Sequence, residues 1–390
     1  MRDAVIVEAV RTPVGKGKPN GALAHVHPVE LLAHTLRTLA ERSGIDPALI
    51  DDVIGGTVDQ VGEQAMNITR YAVLSAGFPE TVPATTVDRQ CGSSQQAVHF
   101  AAQGVLSGAY DMVVACGVES MSRVPMWSNV PAGKDPFGPG VAARFPEGLV
   151  PQGISAELIS AKWSITREQM DAFAVSSHHK AAAAWDAGLF DAETAPLEGL
   201  TRDESMRPST TTEVLAGLKP AYYDPGLAER FPQIEWNVTA GNASPVNDGA
   251  SAVLITTSET AARLGLRPLA RLHSFAVTGS DPLLMLTGVI PATEKVLHKA
   301  GLTLGDIDLF EVNEAFSSVV LAWQQETGAD LAKVNVHGGA IALGHPLGAS
   351  GTRLTTTLVH ALRARGARYG LQTMCEAGGL ANAMILEAVR

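Results

Sequence analysis

Short apolar runs alternate with amphipathic segments in the first part of the chain. The run Ala4–Ala9, with β-branched residues at its centre, predicts a buried strand that ends before Pro13, because proline cannot continue a central strand. Leucines and alanines recur at helical spacing over Pro28–Arg42, and Gly44 is typical of a helix end. Ile50–Gly56 predicts a second strand. This alternation indicates an α/β fold with a mainly parallel sheet covered by helices.

The C-terminal third repeats features of the first. The segment around Ile50 resembles the segment around Ile307, which gives an offset of 257 positions (307 minus 50). At this offset Cys91 falls on Gly348, and the apolar run that contains Cys116 falls near the one that ends at Cys375. Three coincidences at one offset predict an internal duplication, with two similar βαβ halves in a layered arrangement.

The middle of the chain differs from both halves. It is rich in proline and charged clusters, and its helical stretches, Ala156–Lys162 and Arg167–Ala187, lie among irregular segments. We therefore predict an N-terminal half at 1–120, an inserted loop subdomain at 121–241 and a C-terminal half at 263–390. Residues 242–262, with a strand predicted at Ala250–Thr256, are expected to complete the N-terminal half.

Charge and cysteine content narrow the function classes. The formal net charge is −11, so sequence-independent binding of nucleic acid is not expected. Three cysteines without a CxxC pair indicate neither a disulfide framework nor a zinc site, and they favour a reducing compartment. No window has the ~18 apolar residues of a membrane span. Neither end of the chain carries a recognised targeting signal, so we expect a cytoplasmic protein.

Cys91 is the first candidate for chemistry. An extended, β-branched stretch precedes it, and small apolar residues recur at helical spacing after Gly92. Cys91 is therefore expected near the N-terminus of a helix, where unpaired N–H groups and the helix dipole favour a thiolate and can hold an oxyanion. Cys91 is either a nucleophile or a small buried hydrophobic residue.

His345 lies in a glycine-rich segment, between Gly344 and Pro346. The segment is not a phosphate-binding loop, which requires Gly-Lys-Ser/Thr where this chain has Gly-His-Pro. A histidine held rigidly in such a loop can accept a proton from a cysteine. The alternative is a core histidine with satisfied hydrogen bonds.

Two more polar positions follow apolar strands in the C-terminal third. Cys375 ends a predicted strand at a glycine-rich turn; Cys116 has the same local pattern in the first half, and we interpret it as structural. Asn313 and Glu314 follow another strand and precede a helix. Ligands bind at the C-terminal ends of parallel strands, although Asn313 could equally cap the helix.

Together these segments resemble the thiolase family over nearly the whole chain. The similar motifs occur in the family's order: Arg11–Pro13, the Cys91 segment, Cys116–Ser122, Arg207–Pro220, Thr239–Gly249, Asn313–Phe316, Gly344–Pro346 and the Cys375 turn. The resemblance implies a duplicated thiolase-like fold and a coenzyme-A-dependent acyltransferase. Such an enzyme cleaves 3-ketoacyl-CoA to acetyl-CoA and a shortened acyl-CoA, or catalyses the reverse Claisen condensation.

The resemblance also implies roles for individual residues. Cys91 would carry the acyl group as a thioester in ping-pong chemistry, His345 would take its proton, and Cys375 would be the acid/base at the substrate α-carbon. One oxyanion hole would use His345 and a water held by Asn313; the other would use backbone N–H groups, including that of Cys91. Ser244 would meet the pantetheine arm of CoA, and Arg207 lies in the region expected to cover it. CoA is a substrate here, and no metal or permanently bound cofactor is implied.

Several positions depart from the family pattern. Ala377 stands where glycine usually follows the second cysteine by two residues, His337 where asparagine is common, and Gln152 where methionine is frequent. Leu286–Pro291 lacks a usual Gly-Pro step. Gln152 and Leu286–Pro291 are expected near the acyl pocket, so they favour a degradative enzyme for longer or bulkier 3-ketoacyl-CoA over an acetoacetyl-CoA specialist.

Two other functions share this fold. A ketosynthase-type condensing enzyme would have histidine at position 313 and no second catalytic cysteine, so Asn313 and Cys375 both argue against it. A non-catalytic acyl-CoA-binding partner would have lost Cys91, His345 or Cys375. The family's usual assembly is a homodimer or a homotetramer, and we expect one of these.

Overall fold

The structure, a computed structural model, describes residues 2–389. Met1 and Arg390, the outer ends of the first and last predicted segments, lie outside the described residues. The strands are β1 Val5–Arg11, β2 Gly15–Lys16, β3 Asp52–Gly56, β4 Ala84–Val87, β5 Met112–Ser120, β6 Asn247–Thr256, β7 Ala270–Gly279, β8 Leu309–Val312, β9 Tyr369–Glu376 and β10 Leu380–Ala388.

The helices lie between these strands and in the long segment after β5. They are α1 Pro28–Ser43, α2 Ile68–Ser75, α3 Ser93–Ser107, α4 Gly138–Arg144, α5 Gln152–Lys162, α6 Arg167–Asp186, α7 Thr212–Ala216, α8 Pro225–Arg230, α9 Ser258–Arg263, α10 Val289–Ala300, α11 Ser317–Thr327, α12 Ala340–Leu343 and α13 Ser350–Ala364. Helix α1 ends at Gly44, which takes the left-handed φ of +68° that glycine tolerates. Within residues 2–389, no helix combines the length and apolar character needed to cross a bilayer.

The strand order repeats between the two halves of the chain. The N-terminal half runs β4-β3-β5-β6-β1, and β1 pairs with β7 of the C-terminal half, which continues β7-β10-β9-β8. The parallel bridge between Phe310 and Val334 stands where β4 pairs with β3 in the first half. The duplicated α/β fold expected from the 257-residue offset is confirmed: β3 and β8 begin 257 residues apart (52 and 309), as do β5 and β9 (112 and 369).

The sheet is mixed, with less parallel pairing than we expected. Three of the pairings between named strands are parallel, β3–β4, β3–β5 and β8–β9, and six are antiparallel. The antiparallel pairs arise because β10 returns directly from β9 in a hairpin, and β6 returns beside β5 after the long segment between them. Strand–helix alternation in the sequence does not reveal such return strands.

Side-chain alternation along the strands separates the helices into layers. On β5, Val114 packs in a core with α1 and α2, whereas its neighbour Val113 packs in a core with α3 and α13. On β10, Ala383 packs with α10 and α11, whereas Met384 packs with α3 and α13. Because successive side chains of a strand point to opposite faces, α3 and α13 lie between the two halves of the sheet.

The two central helices are related by the duplication and touch closely. Helices α3 and α13 begin at Ser93 and Ser350, 257 residues apart. A Cβ on Gly351 would lie 2.0 Å from the backbone nitrogen of Gln95, and the Thr352 N–H donates to Ser94 Oγ at 3.0 Å. This contact brings together the N-termini of the helices that follow Cys91 and His345.

The chain between β5 and β6 leaves the sheet and carries helices α4 to α8. It is tied to the first half through Arg11, whose buried guanidinium contacts the carboxylates of Glu193 (2.5 Å) and Asp203 (2.8 Å). Truncating one member of such a buried ion pair typically costs ~3–5 kcal/mol, because it leaves the other charge unpaired. The division at 120/121 and 241/242 stays a prediction.

Candidate active site

Loops at the C-terminal ends of several strands meet in one small apolar cluster. Its members are Val58, Cys91, Met121, Leu347, Leu354 and Met374. Leu347 lies two residues after His345, and Met374 immediately precedes Cys375. The structure therefore brings the segments of all three predicted reactive side chains to one place.

Cys91 lies directly before the N-terminus of α3, as the sequence predicted. The loop from β4 turns at Gln90, which has a left-handed φ of +49°, and Gly92 is the residue that caps α3. Ser93 Oγ donates to the Gln90 carbonyl at 2.6 Å and accepts from the Arg89 N–H at 2.9 Å, which fixes the turn. The Cys91 side chain is buried.

Burial changes the expected protonation state of Cys91. Desolvation raises the pKa of Cys91 to about 12, the neighbouring Glu376 adds to the increase, and a hydrogen bond from Gln152 opposes it. We expected the helix N-terminus to favour a thiolate; the cost of burying a charge outweighs that effect. The Cys91 thiol is therefore neutral at rest and would need a base to act as a nucleophile.

His345 is held as a neutral base with a defined tautomer. Its Nδ1 lies 2.6 Å from Ser350 Oγ, and the Ser350 hydroxyl donates to the Pro346 carbonyl at 2.8 Å. Because that hydroxyl has a single hydrogen, it accepts a hydrogen bond from Nδ1–H, which leaves the lone pair on Nε2. Burial, assisted by nearby Arg353, lowers the pKa of His345 to about 3, so the ring is uncharged near neutral pH.

The backbone of the His345 loop is fixed by close approach. Gly344 has a φ of +106°, and a Cβ there would lie 2.5 Å from Val14 Cγ1. Asn247 Oδ1 accepts the His345 N–H at 2.9 Å. Only glycine fits this conformation and this space, which explains its place before the histidine.

Asn313 lies at the end of β8 and approaches His345. Its Nδ2 is 3.4 Å from His345 Nε2, and its buried Oδ1 has no hydrogen-bond partner among residues 2–389. Glu314, the next residue, accepts hydrogen bonds from Ser177 and Asn335 and thereby fixes the segment. Helix α11 is capped at Phe316, so the alternative role of Asn313 as a helix cap is wrong.

Cys375 is the last residue but one of β9 and lies close to Cys91. Its pKa is raised well above the usual range by burial and then by the proximity of Cys91. In the turn that follows, the left-handed conformations belong to Gly378 and Gly379, and Ala377 has a negative φ. The alanine that replaces the usual glycine is therefore accommodated without backbone strain.

A cavity of about 380 Å³ opens onto Cys91 and the turn after Cys375. Its wall is mainly apolar and comes largely from the inserted segment: Met126, Trp127, Val130, Phe137, Leu149 and Val150, with Met285 and Leu347 opposite. Gln152 also lines it, as expected. The other departure from the family pattern, Leu286–Pro291, contributes no residue to the cavity lining, although Met285 immediately before it does.

Ser244 and Arg207 lie outside the reactive cluster. The Ser244 N–H donates to the Ala315 carbonyl at 3.0 Å, which places it two residues from Asn313 in the neighbouring segment. Arg207 lines a small cavity with Ala243 and Pro245, and its side chain is exposed. Ser244 is half-buried and Arg207 is exposed, so both are more accessible than the buried Asn313.

Three buried positioning residues were not identified from the sequence: Glu119, Asn247 and Ser350. Glu119 accepts hydrogen bonds from the Val58 N–H (2.9 Å) and the Gly348 N–H (2.8 Å), and so joins the first half to the His345 loop. For Glu119, the sequence offered only one indication of this role, a charged residue near the end of an apolar strand. His337 and Cys116 are buried away from these contacts, His337 against Phe190 and Cys116 within β5.

Across the described part of the chain, no three His, Cys, Asp or Glu side chains are grouped as metal ligands. The polar side chains of the site are held by protein hydrogen bonds instead. The chemistry that these residues themselves support is acyl transfer to a thiol, with a neutral imidazole as base and a second thiol as acid.

Comparison with known proteins gives the same assignment. Residues 4–259 match the model of the thiolase N-terminal domain, and residues 266–388 match that of the thiolase C-terminal domain. The chain is 48% identical over 399 residues to Steroid 3-ketoacyl-CoA thiolase FadA6 of Mycobacterium tuberculosis, covering 99% of this chain and 94% of that protein. It is 42% identical to a 3-ketoacyl-CoA thiolase of Bacillus subtilis, covering 99% of this chain and 100% of that protein.

Solved structures agree. Human mitochondrial 3-ketoacyl-CoA thiolase in complex with CoA superposes with a TM-score of 0.89 at 36% identity, covering 100% of this chain and 98% of that one. An acetyl-CoA acetyltransferase of Bacillus anthracis superposes with a TM-score of 0.88 at 38% identity, covering 100% of this chain and 99% of that one. Family models that span almost the whole chain, and relatives this similar over their full lengths, show that the protein belongs to the thiolase family and is a 3-ketoacyl-CoA acyltransferase.

Proposed function

We propose that the protein cleaves 3-ketoacyl-CoA through an acyl-enzyme on Cys91. The Cys91 thiol attacks the 3-keto carbon as its proton passes to His345 Nε2. The bond between C2 and C3 then breaks, and the acetyl-CoA carbanion takes a proton from Cys375. The CoA thiol returns a proton to Cys375 and attacks the thioester, which releases the shortened acyl-CoA and lets Cys91 regain its proton.

The observation that carries this proposal is the fixed tautomer of His345. A buried thiol with a raised pKa cannot act as a nucleophile unless a neutral base is at hand, and Ser350 holds the imidazole with Nε2 unprotonated. Asn313 beside Nε2 supports a shared oxyanion site, with its Oδ1 able to hold a water. Loss of one oxyanion donor typically costs ~3–4 kcal/mol of transition-state stabilisation.

Coenzyme A is the proposed second substrate rather than a bound cofactor. The human relative was solved in complex with CoA, and the chains align over their full lengths. Ser244 lies in the segment beside Asn313, where it can contact the pantetheine arm, and exposed Arg207 is available to an anionic part of CoA.

The acyl group is proposed to be long or ring-bearing. The cavity beside Cys91 holds about 380 Å³, and most of its wall is apolar. A relative at 48% identity is named for steroid 3-ketoacyl-CoA. The inserted segment forms much of this wall, which supports the assignment of 121–241 as a covering subdomain.

A cytoplasmic homodimer or homotetramer is the proposed state. Exposed apolar side chains on α2 (Tyr71, Leu74) and α3 (Phe100, Leu106) lie near the edge strand β4, which has an unpaired side. Light scattering should give a mass of at least twice 40.8 kDa. A monomeric mass across micromolar concentrations would contradict this assembly.

The first experiment is thiolysis with a panel of 3-ketoacyl-CoA esters, from acetoacetyl-CoA to ring-bearing chains. Loss of the enolate absorbance reports cleavage, and mass spectrometry locates the acyl group. Cys91→Ala should lose turnover by more than about 10³-fold and remain unacylated. Cys116→Ala, which changes another buried cysteine, is the matched control and should remain active. Normal turnover by Cys91→Ala would overturn the proposed mechanism.

A further inference from the structure

The apolar cavity beside Cys91 contains one acidic side chain that the reaction does not use. Asp59, which follows β3, lines this cavity although its exposed fraction is only 1%. Its neighbour Val58 packs in the same cluster as Cys91. Asp59 therefore faces the space where an acyl chain attached to Cys91 would extend.

The backbone of Asp59 is held rigidly. Its N–H donates to Glu119 Oε1 at 3.2 Å, and its carbonyl accepts from Gln64 Nε2 at 2.9 Å. Rearrangement of the loop to expose the carboxylate to water would break these buried hydrogen bonds and leave buried polar groups without partners. The carboxylate thus stays in the cavity wall.

The Asp59 carboxylate itself has few hydrogen-bond donors around it. It accepts one long hydrogen bond, 3.4 Å from the Asn129 N–H, with the Trp127 N–H nearby. The other buried aspartates are better satisfied: Asp203 contacts Arg11 and Asp171 contacts Arg167. Asp248 accepts short hydrogen bonds from the Ser122 N–H (2.9 Å) and hydroxyl (2.6 Å). Among residues 2–389, no cationic side chain forms an ion pair with Asp59. Burial also raises its pKa.

A purely hydrocarbon acyl group would exclude water from this carboxylate and offer no hydrogen bond in return. An acyl carboxylate would add a like charge, and an ammonium would be desolvated within an apolar wall. A hydroxyl group supplies a donor to Asp59 and buries no second charge. Of these groups, it matches the cavity best.

We propose that Asp59 is a specificity-determining residue that selects acyl groups with a hydroxyl on the part of the chain remote from the 3-keto carbon. This inference rests on the proposed thiolase activity and narrows its substrate to hydroxylated, bulky 3-ketoacyl-CoA. Asp59 acts on acyl recognition and has no part in proton transfer.

The test uses ring-bearing 3-ketoacyl-CoA esters of one carbon skeleton. At each of several remote carbons the substituent is hydrogen, hydroxyl, ketone or amine, and kcat/KM is measured for the full-length enzyme. At one position, wild type should prefer the hydroxyl over hydrogen by about 10- to 100-fold, the range for a hydrogen bond to a charged group. In Asp59→Leu that ratio should fall to about one or below, because the new side chain favours the hydrocarbon.

Met126→Leu is the matched control, since it changes the same cavity without removing a polar atom, and it should keep the hydroxyl preference. If Asp59→Leu does not fold, the ratio of kcat/KM for hydroxyl over hydrogen is measured in Asp59→Asn instead. The wild-type ratios by themselves still show whether the hydroxyl is preferred. Preference for ketone, amine or hydrogen at every position would overturn the inference while leaving thiolase activity intact. Absence of turnover on every ester would instead contradict the proposed function.

Discussion

The surroundings of His345 and Cys91 set the protonation states of these two side chains. Ser350 assigns the proton of His345 to Nδ1, and burial keeps both the imidazole and the Cys91 thiol neutral at rest. In the proposed mechanism the reaction therefore begins with proton transfer within a neutral pair and not with a preformed thiolate–imidazolium pair. At this scale, the sequence predicted the candidate reacting residues but not their charges.

Ser350→Ala should lower kcat for acyl transfer with little change in substrate binding. Without its acceptor, Nδ1–H is buried without a partner and the competing tautomer becomes accessible, a loss of ~1–3 kcal/mol or about 5- to 150-fold in kcat. Thr356→Val on the same helix is the control, because the Thr356 hydroxyl contacts only a helix carbonyl. An unchanged kcat in Ser350→Ala would show that the tautomer is fixed by other means.

At the scale of elements, the site depends on close approach between helix ends and strand ends. The start of α3 lies against β9 and β10: Asn382 Nδ2 donates to the Gly92 carbonyl at 3.0 Å, and the Glu376 carboxyl touches Gly92. The absence of a side chain at position 92 permits this approach. The glycine therefore determines where Cys91 lies relative to Cys375.

Gly92→Ala should destabilise the protein and displace Cys91. Its Cβ would lie 1.9 Å from Glu376 Oε1, so the carboxyl must move within a packed interior, at ~1–3 kcal/mol. Gly140→Ala is the control, since no atom lies within 4 Å of its Cβ position and its φ is ordinary. Urea unfolding should show a lower midpoint for Gly92→Ala only. Equal midpoints would mean that Glu376 moves without cost.

At the scale of the whole molecule, duplication places ionisable groups in a deep interior between two halves. Burial raises the pKa of Glu311 to about 8 and of Glu376 to about 9, and lowers that of His99 and His345 to about 3. Folding thus favours the neutral form of all four. Stability consequently depends on pH in two opposite ways.

The free energy of unfolding should be greatest between about pH 4.5 and 6.5. Below pH 6.5 the histidines bind protons in the unfolded state but stay neutral in the folded state, so stability falls on acidification. The loss is ~1.4 kcal/mol per pH unit for each fully shifted group. Above pH 4.5 the unfolded carboxyls lose protons that the folded ones keep until about pH 8–9, so stability falls as pH rises. The carboxyl effect acts alone above pH 6.5, and the histidine effect alone below pH 4.5.

Urea midpoints at pH 5.5, 7.5 and 9 test this dependence. Glu376→Gln, which keeps the shape and removes the titrating group, should flatten the decline above pH 6.5. A midpoint that rises steadily from pH 5.5 to 9 would contradict the assigned directions of the carboxyl pKa values.

The sequence by itself determined several of the elements and predicted the candidate reactive residues. Local patterns were sufficient for β1, α1 and the helix after Cys91, because apolar periodicity and glycine or proline boundaries act over a few residues. The 257-residue offset predicted the duplication, since two equivalent halves keep the same spacing between strands. Resemblance to a family predicted reactive roles for Cys91, His345, Cys375 and Asn313.

Only the tertiary structure decided the return strands, the charges and the acyl cavity. Antiparallel pairing of β6 and β10 depends on partners distant in sequence or on a hairpin that alternation does not reveal. The neutral state of Cys91 follows from burial among residues far away in the chain. Asp59 acquires its significance from a cavity whose wall comes from several separate segments. Desolvation and cavity shape are properties of the assembled interior, and no local stretch of sequence contains them.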